Sequence, residues 1–480
     1  MPEHPDAGAD PKSALSAQRQ ADGSWLLRPA ALADGSVCWR HDGQRLRFAQ
    51  QPADLAGIAP AASIDWDVLR GLLALEFPAG AGTPFLEVHR LPAGMECRVE
   101  PDGSVSQLRR SWTPAPEPSE SAKAPDLWTA LVAQCVSSMR GARRTAVMLS
   151  GGLDSSVVAA AAVAAARQLG RPIPILLSAT YPGLDCDEAP EQQLVARHLS
   201  APHRTVNACA TPLWPAIQDA AREQLHPLVD GQEGINVALY RIAQAEECDL
   251  VLTGVGGDEL FEARGAEIDL VRAGKWHAAF RLIRSTERAR PQSLLKALFR
   301  RGLRLPVQPT RTGVTGLDRK AAGSWCRAVL RQTLASPGLS WRLEMAGRTA
   351  RRAGLRLESP LLGNHFLGVF EQVSLQRLVK GGAVKGLLRE VASPWLPEPV
   401  VRRVTKARFT AYYNFRLPFD APVLAAEYLG LRAQSPIAWL PNDLKALFET
   451  PIVPSRFLTG WIALGILQFA DAWSADTRRT

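Results

Sequence analysis

The chain has 480 residues, 46% hydrophobic and 21% charged, the balance of a soluble globular protein with room for two or three domains. Its formal charge of +9 favours anionic partners such as nucleotides, acidic peptides, nucleic acid or membrane surfaces. The seven cysteines are scattered and form no C-x-x-C pair. That argues against a zinc ribbon, a redox motif or a disulfide framework, and suits a reducing cytoplasm.

In chain order, residues 1–24 are polar and lack the apolar stretch of a secretory signal; they read as a loose N-terminus. Residues 25–112 set short apolar runs (GSVCWR, RLRFA, PFLEVHRL, MECRVEPDG) between Gly, Pro and Asp turns. The pattern predicts a β-rich domain with one helix, from Trp66 to Leu75. The tract 113–125 (TPAPEPSESAKAP) has the composition of a linker. From residue 126 to 480, strand-like runs (TAVMLS, IPILLSATY, DLVLTGV) alternate with helical stretches and then give way, after about Arg264, to mostly helical sequence. That predicts an α/β domain, a parallel sheet with helices on both faces. The basic run from Arg281 to Arg304 holds one aromatic residue, Phe299, too few for a base-stacking surface, so no nucleic-acid partner is expected. The most apolar stretches, Val157 to Ala166 and Trp461 to Trp473, fall short of the ~20 residues that span a bilayer and read as core helices.

Two segments carry chemistry. In TAVMLSGGLDSSVV, from Thr145, a buried strand runs into two glycines and then a helix. Gly151 and Gly152 allow a tight turn that presents amide N–H groups to an anion, and Ser150 and Ser155 add hydroxyls. The helix N-terminus favours phosphate at the same spot. Asp154 would repel phosphate, so its presence there calls for Mg²⁺ bridging it to the phosphates. The second segment, DLVLTGVGGDELF from Asp249, is another strand ending in glycines and the acids Asp258 and Glu259. In a parallel sheet both loops lie at the carboxyl ends of strands, where ligands bind, so Asp154 and Asp258 are predicted to share one Mg²⁺. The strand ILLSATY ends near Ala179 and Thr180, a wall for adenine, and Asp187-Glu188 reads as the acidic cap of the next helix.

The paired motifs S-G-G-x-D-S and [ST]-G-x-G-G-D-E-[LM]-F resemble those of the asparagine-synthetase-type amidotransferases. With LPAG from Leu91 and Ser111-Trp112, the resemblance runs from about Trp25 to the C-terminus. It implies a PP-loop synthetase domain, adenine nucleotide α-hydrolase-like, and a smaller N-terminal domain similar to a degenerate Ntn glutaminase domain. The implied chemistry is a carboxylate plus ATP giving acyl-AMP and pyrophosphate, followed by attack of an amine. The nucleotide set it implies is Leu149, Ser150, Gly151, Gly152, Asp154, Ser155, Thr180, Thr253 and Gly254, with Asp154 and Asp258 on the metal.

Three departures bear on the branch. Glutamine-using members carry a cysteine at position 2, where this chain has Pro2, and the first cysteine is Cys38. The family's G-x-E-x-R-x-P-F-L-D reads here Gly354-Leu355-Arg356-Leu357-Glu358-Ser359-Pro360-Leu361-Leu362-Gly363. The swapped charges are either a structural ion pair or the mark of a rebuilt acceptor pocket. The order K-x-x-L-R, L-P, R-x-K is kept in Lys385, Leu388-Arg389, Leu396-Pro397, Arg403 and Lys406, with one extra residue before the last lysine. A fixed ammonium is most stabilising where negative charge develops in a desolvated pocket. Lys385 is assigned to the departing pyrophosphate and Lys406 to the tetrahedral intermediate. The T-K wording and the helical tail are most similar to the lasso-peptide macrolactam synthetases. That branch implies a precursor peptide as substrate, joined from an Asp or Glu side chain to its own N-terminal amine, with a leader-peptide-binding protein and a leader protease alongside. A β-lactam synthetase or other small-molecule amide ligase, asparagine synthesis, a tRNA-modifying enzyme and a non-catalytic nucleotide-binding homologue are the alternatives. The Tyr–Glu pair of β-lactam-forming relatives has candidates in Tyr240 and Glu358.

Overall fold

A computed structural model describes residues 15–29, 37–42, 45–57, 63–78, 80–92, 94–110, 126–212, 218, 227, 231–289, 324–379, 382–404, 407, 409–434, 437–442 and 454–477. Its N-terminal part is built from β1 (Leu15–Arg19), β2 (Trp25–Pro29), β3 (Val37–His41), β4 (Leu46–Ala49), α1 (Pro52–Ala56), α2 (Trp66–Leu73), β5 (His89–Leu91), β6 (Met95–Val99) and β7 (Val105–Arg110). Two antiparallel sheets, β1-β2-β6-β7 and β4-β3-β5, share a small core of Leu27, Trp39, Leu91, Cys97 and Val99. The predicted helix begins at Trp66 as expected, with Asp65 accepting from the amides of Asp67 and Val68. The looseness expected of residues 1–24 does not hold for Leu15–Arg19, which form β1; residues 1–14 lie outside the described residues. Residues Leu15 to Arg19 pair in register with Pro29 to Trp25, because backbone groups at the edge of β2 offer an antiparallel ladder that polarity alone does not reveal.

The larger part follows with α3 (Leu127–Met139), β8 (Thr145–Met148), α4 (Leu153–Gln168), β9 (Ile175–Thr180), α5 (Ala189–Leu199), β10 (His203–Asn207), α6 (Glu233–Ala245) and β11 (Leu250–Leu252). Beyond β11 come α7 (Gly257–Phe261), α8 (Ala266–Arg272), α9 (Trp276–Ala289), α10 (Trp325–Leu334), α11 (Pro337–Arg352) and β12 (Arg356–Glu358). The described chain closes with α12 (Asn364–Phe370), α13 (Leu375–Leu378), α14 (Gly386–Ala392), α15 (Glu398–Arg402), α16 (Thr410–Gln434) and α17 (Pro454–Thr477). The five strands β10-β9-β8-β11-β12 form one sheet, parallel throughout. Strand alternation divides the core between its faces. Val147, Leu176, Leu250 and Leu252 pack with α3 and α4, whereas Ala146, Ile175, Leu177 and Val251 pack with α6, α11, α16 and α17. The doubly covered parallel sheet predicted from the sequence is therefore present. β12 lies in sequence read as helical; its three residues pair Arg356, Leu357 and Glu358 with Leu250, Val251 and Leu252, too short a run to show a period. Among the described residues no helix is long and apolar enough to cross a membrane. The stretch Trp461 to Trp473 lies in α17 and is largely buried.

Candidate active site

From β8 the chain passes outward through β9 to β10, and from β8 the other way through β11 to β12. The sheet order reverses between β8 and β11, and a crevice opens at the carboxyl ends of strands where it does. The two sequence motifs leave these two adjacent strands, so topology brings them together.

On the β8 side, the amide of Leu149 continues the ladder to Leu177 O at 2.8 Å. Gly151 then turns at φ 91°, and Gly152 starts α4. Ser155 Oγ accepts from the amide of Ser150 at 3.1 Å and lies 3.0 Å from Ser150 Oγ. The loop is thus tied to the helix it introduces, with the 16 residues of α4 directing their N-terminus at the crevice. Alanine and valine throughout α4 let this helix sit buried between sheet and α3.

On the β11 side, Thr253 is buried; its amide donates to Glu358 O at 2.9 Å and its hydroxyl meets Ser359 Oγ at 2.9 Å. Glycines after it are required by contact. A Cβ at Gly254 would lie 2.7 Å from the amide nitrogen of Ser155, and one at Gly257 would collide with the Asp154 side chain. The two loops interlock backbone to backbone. Of the paired acids, Glu259 is committed elsewhere. It accepts from the amide of Gly256 at 3.0 Å and pairs with Arg342 at 2.6 Å, leaving Asp258 as the acid that faces Asp154.

Asp154 and Asp258 do converge, and Lys385 stands between them. Its Nζ lies 2.5 Å from Asp154 Oδ2 and 2.7 Å from Asp258 Oδ1. Burial works against the ammonium, but the charges of Asp154 and then Asp258 outweigh it, and the Lys385 pKa lies above its ordinary value of 10.5. Lys385 thus bridges the two carboxylates, and the charge of Asp154 also acts on Arg389. The donor set, two hard carboxylates with no third acid, His or Cys grouped beside them among the described residues, fits Mg²⁺, which takes one or two carboxylates and completes its shell from phosphate and water oxygens.

Thr180 ends β9 beside this crevice, with its hydroxyl bonded to Val206 O at 3.3 Å. Asp187 performs the capping role, accepting from the amides of Tyr181 at 2.9 Å and Ala189 at 3.2 Å. The cap expected of Glu188 is corrected: its side chain reaches Arg403 Nη1 at 2.6 Å, and Glu191 is 3.5 Å from the same atom. A neighbouring cation outcompetes an amide that Asp187 already serves. Lys406, Pro2, Ser111, Trp112 and the tract 113–125 lie outside the described residues. The swapped charges in the 354–363 segment form an ion pair, Arg356 Nε to Glu358 Oε1 at 3.0 Å. Leu357 packs with the core that holds Tyr240 of α6, so strand alternation turns Glu358, the next residue of β12, to the opposite face of the sheet. They do not form a dyad.

Three residues without a predicted role hold these pieces. Gln192 Nε2 donates to Ser150 O at 3.2 Å and Ala179 O at 2.9 Å, bracing both strand ends. Arg389 Nε donates to Val384 O at 3.2 Å and its Nη1 to Val401 O, linking the approach to Lys385 with α15. Arg403 reaches α5 behind the phosphate loop, where Glu188 Cβ leaves no room for a side chain on Gly151, 2.8 Å from where its Cβ would be. Arg389 and Arg403 both stood in the sequence motif; their long-range partners did not.

The sequence profile described as Asparagine synthase matches residues 127–435, well over half of the chain. No curated protein was found to match.

Proposed function

Since the chain belongs to the asparagine synthase family, and so to ATP-dependent carbon–nitrogen ligases, we propose that it closes a macrolactam ring in a precursor peptide. An Asp or Glu side-chain carboxylate of the peptide attacks the α-phosphorus of ATP; pyrophosphate leaves and an acyl-adenylate forms. The peptide's N-terminal amine then attacks the acyl carbon, AMP departs, and the peptide has lost one water. The amides of the 150–152 loop and the N-terminus of α4 receive the phosphates. Mg²⁺ held by Asp154 and Asp258 would neutralise charge on the leaving pyrophosphate. Lys385 is assigned to that same group, and Lys406 to the oxyanion of the tetrahedral intermediate. The precursor peptide is the partner, with a leader-peptide-binding protein and a leader protease acting alongside.

The adenylation step rests on the convergence of Asp154, Asp258 and Lys385 at the sheet's switch point. The choice of amine rests on the cysteines. Only Cys38 and Cys97 precede the synthetase domain, and both are buried in the described structure. Burial pushes the Cys38 thiol up to about 11 and the Cys97 thiol up to about 12. Burial of both works against the thiolate that glutamine hydrolysis needs, which supports an attacking nitrogen other than one these thiols would free from glutamine. The separation of Tyr240 from Glu358 disfavours the β-lactam-forming dyad. The N-terminal sheets are read as a degenerate glutaminase-like domain, kept either as a structural remnant or as a substrate platform.

Purified protein with ATP, Mg²⁺ and candidate precursor peptides is expected to release AMP and pyrophosphate and to reduce the peptide mass by one water. Release of ADP, or AMP formation from aspartate and ammonia without peptide, would sink the proposal.

A further inference from the structure

The Lys385 ammonium sits 2.5 Å from Asp154 and 2.7 Å from Asp258, at the point a divalent cation shared by the two carboxylates would need. Resting on the reading that these carboxylates hold Mg²⁺, we propose that Lys385 competes with the divalent cation, which gains its site only as the triphosphate draws the ammonium away. A metal shared by both carboxylates at roughly 2.0–2.1 Å from each oxygen leaves no room for an ammonium at the same point. Charge acts in the same direction. With Lys385 in place an arriving cation meets a positive neighbour between the two carboxylates, in a part-buried setting where such terms are larger than in water.

The backbone around Lys385 is arranged so that the ammonium, rather than the loop, moves. Lys385 stands at φ 57°, a left-handed conformation uncommon for a residue with a side chain, at the start of α14. On one side the Val384 amide donates to Ser285 Oγ at 2.7 Å, and Arg389 Nε donates to Val384 O at 3.2 Å. On the other side the helix begins at once. The flexible four-carbon stem of lysine then carries the charge from the carboxylates to phosphate oxygens. The role assigned to Lys385 on pyrophosphate and its position between the carboxylates become two stages of one motion. Nucleotide arrival therefore strengthens metal binding, and the carboxylate pair holds free cations only weakly on its own.

The test is Mn²⁺ binding to the full chain without nucleotide, read from the EPR signal of free Mn²⁺. Lys385→Met should bind Mn²⁺ about tenfold more tightly than wild type, the effect of removing one positive charge beside the site, and Asp258→Asn should lose the binding. Mn²⁺ should also raise the Tm of Lys385→Met more than that of wild type. Lys385→Gln provides the same comparison if Lys385→Met does not fold. Equal affinity in wild type and the Lys385 variants, with loss in Asp258→Asn, keeps the metal assignment and overturns the competition. Binding that ignores Asp258→Asn overturns both.

Discussion

Gly254, Gly257 and Gly151 each mark a place where another part of the site needs the volume of a side chain. The clash partners are Ser155, Asp154 and Glu188 respectively. These glycines are there for fit as much as for turning, and the S-G-G-x-D-S motif is complete only with the second motif pressed against it. The same scale holds the two lysines proposed to act in the reaction. Lys385 is pinned by its two carboxylates, whereas Lys406 is assigned to charge that exists only during the reaction. Lys406→Ala is therefore expected to lower kcat by about 10²-fold or more while leaving the Kd for ATP nearly unchanged, as for removal of a donor to an oxyanion. A variant that loses ATP affinity and keeps kcat would mean the lysine serves nucleotide binding instead. Rapid-quench measurement of acyl-adenylate formation and isothermal titration separate the two.

At the scale of elements, α5 is the brace of the phosphate loop. Gln192 holds Ser150 and Ala179 from it, and Glu188 and Glu191 draw Arg403 down onto its N-terminal turn. Glu188 lies close behind the 150–152 turn, proposed to receive phosphate, so Arg403 both anchors the chain leaving α15 and offsets the Glu188 charge. Arg403→Ala should raise the KM for ATP by about tenfold, equivalent to ~1.4 kcal/mol. The exchanged pair Glu188→Arg with Arg403→Glu should recover part of it. No change in KM, measured by pyrophosphate release, would show that the pair only stabilises the fold. A second element shows why motif departures need structure to interpret. Gly363, where the resembling family has Asp, starts α12, and a side chain there would collide with Gln134 of α3. Gln134 Oε1 accepts from the amide of His365 at 3.2 Å, so a distant residue caps the helix that the expected aspartate would have capped.

At the scale of the molecule, the N-terminal part is joined to the synthetase part through buried surface and buried charge. Phe85 packs edge-on against Phe469 and Trp473 of α17 at 5.5 and 4.8 Å. Arg90, 1% exposed, pairs with Glu344, 0% exposed, on α11, and Glu344 also lies 3.8 Å from Arg348. Removing one partner of such a pair costs about 3–5 kcal/mol, because the other charge stays buried. Glu344→Ala should accordingly destabilise the protein by that amount, and both parts should unfold in one denaturant transition. Separate loss of the N-terminal sheets, with the rest unchanged, would show instead that the two parts are coupled weakly.

Sequence alone determined the order of strands and helices around the two glycine motifs, the parallel sheet they imply, and the two acids and the lysine, Asp154, Asp258 and Lys385, that the fold brings together. Those features are local or periodic, and each glycine, acid or apolar run keeps its meaning without knowledge of its neighbours. Tertiary structure decided what depends on partners far along the chain. It assigned Lys385 to Asp154 and Asp258, Arg403 to Glu188, Glu259 to Arg342 and Gln134 to the start of α12. It also set Tyr240 and Glu358 on opposite faces of the sheet, and it turned residues 15–19 from apparent tail into an edge strand. Charge and hydrogen-bond capacity are visible in a sequence; the partner that satisfies them is chosen by the fold.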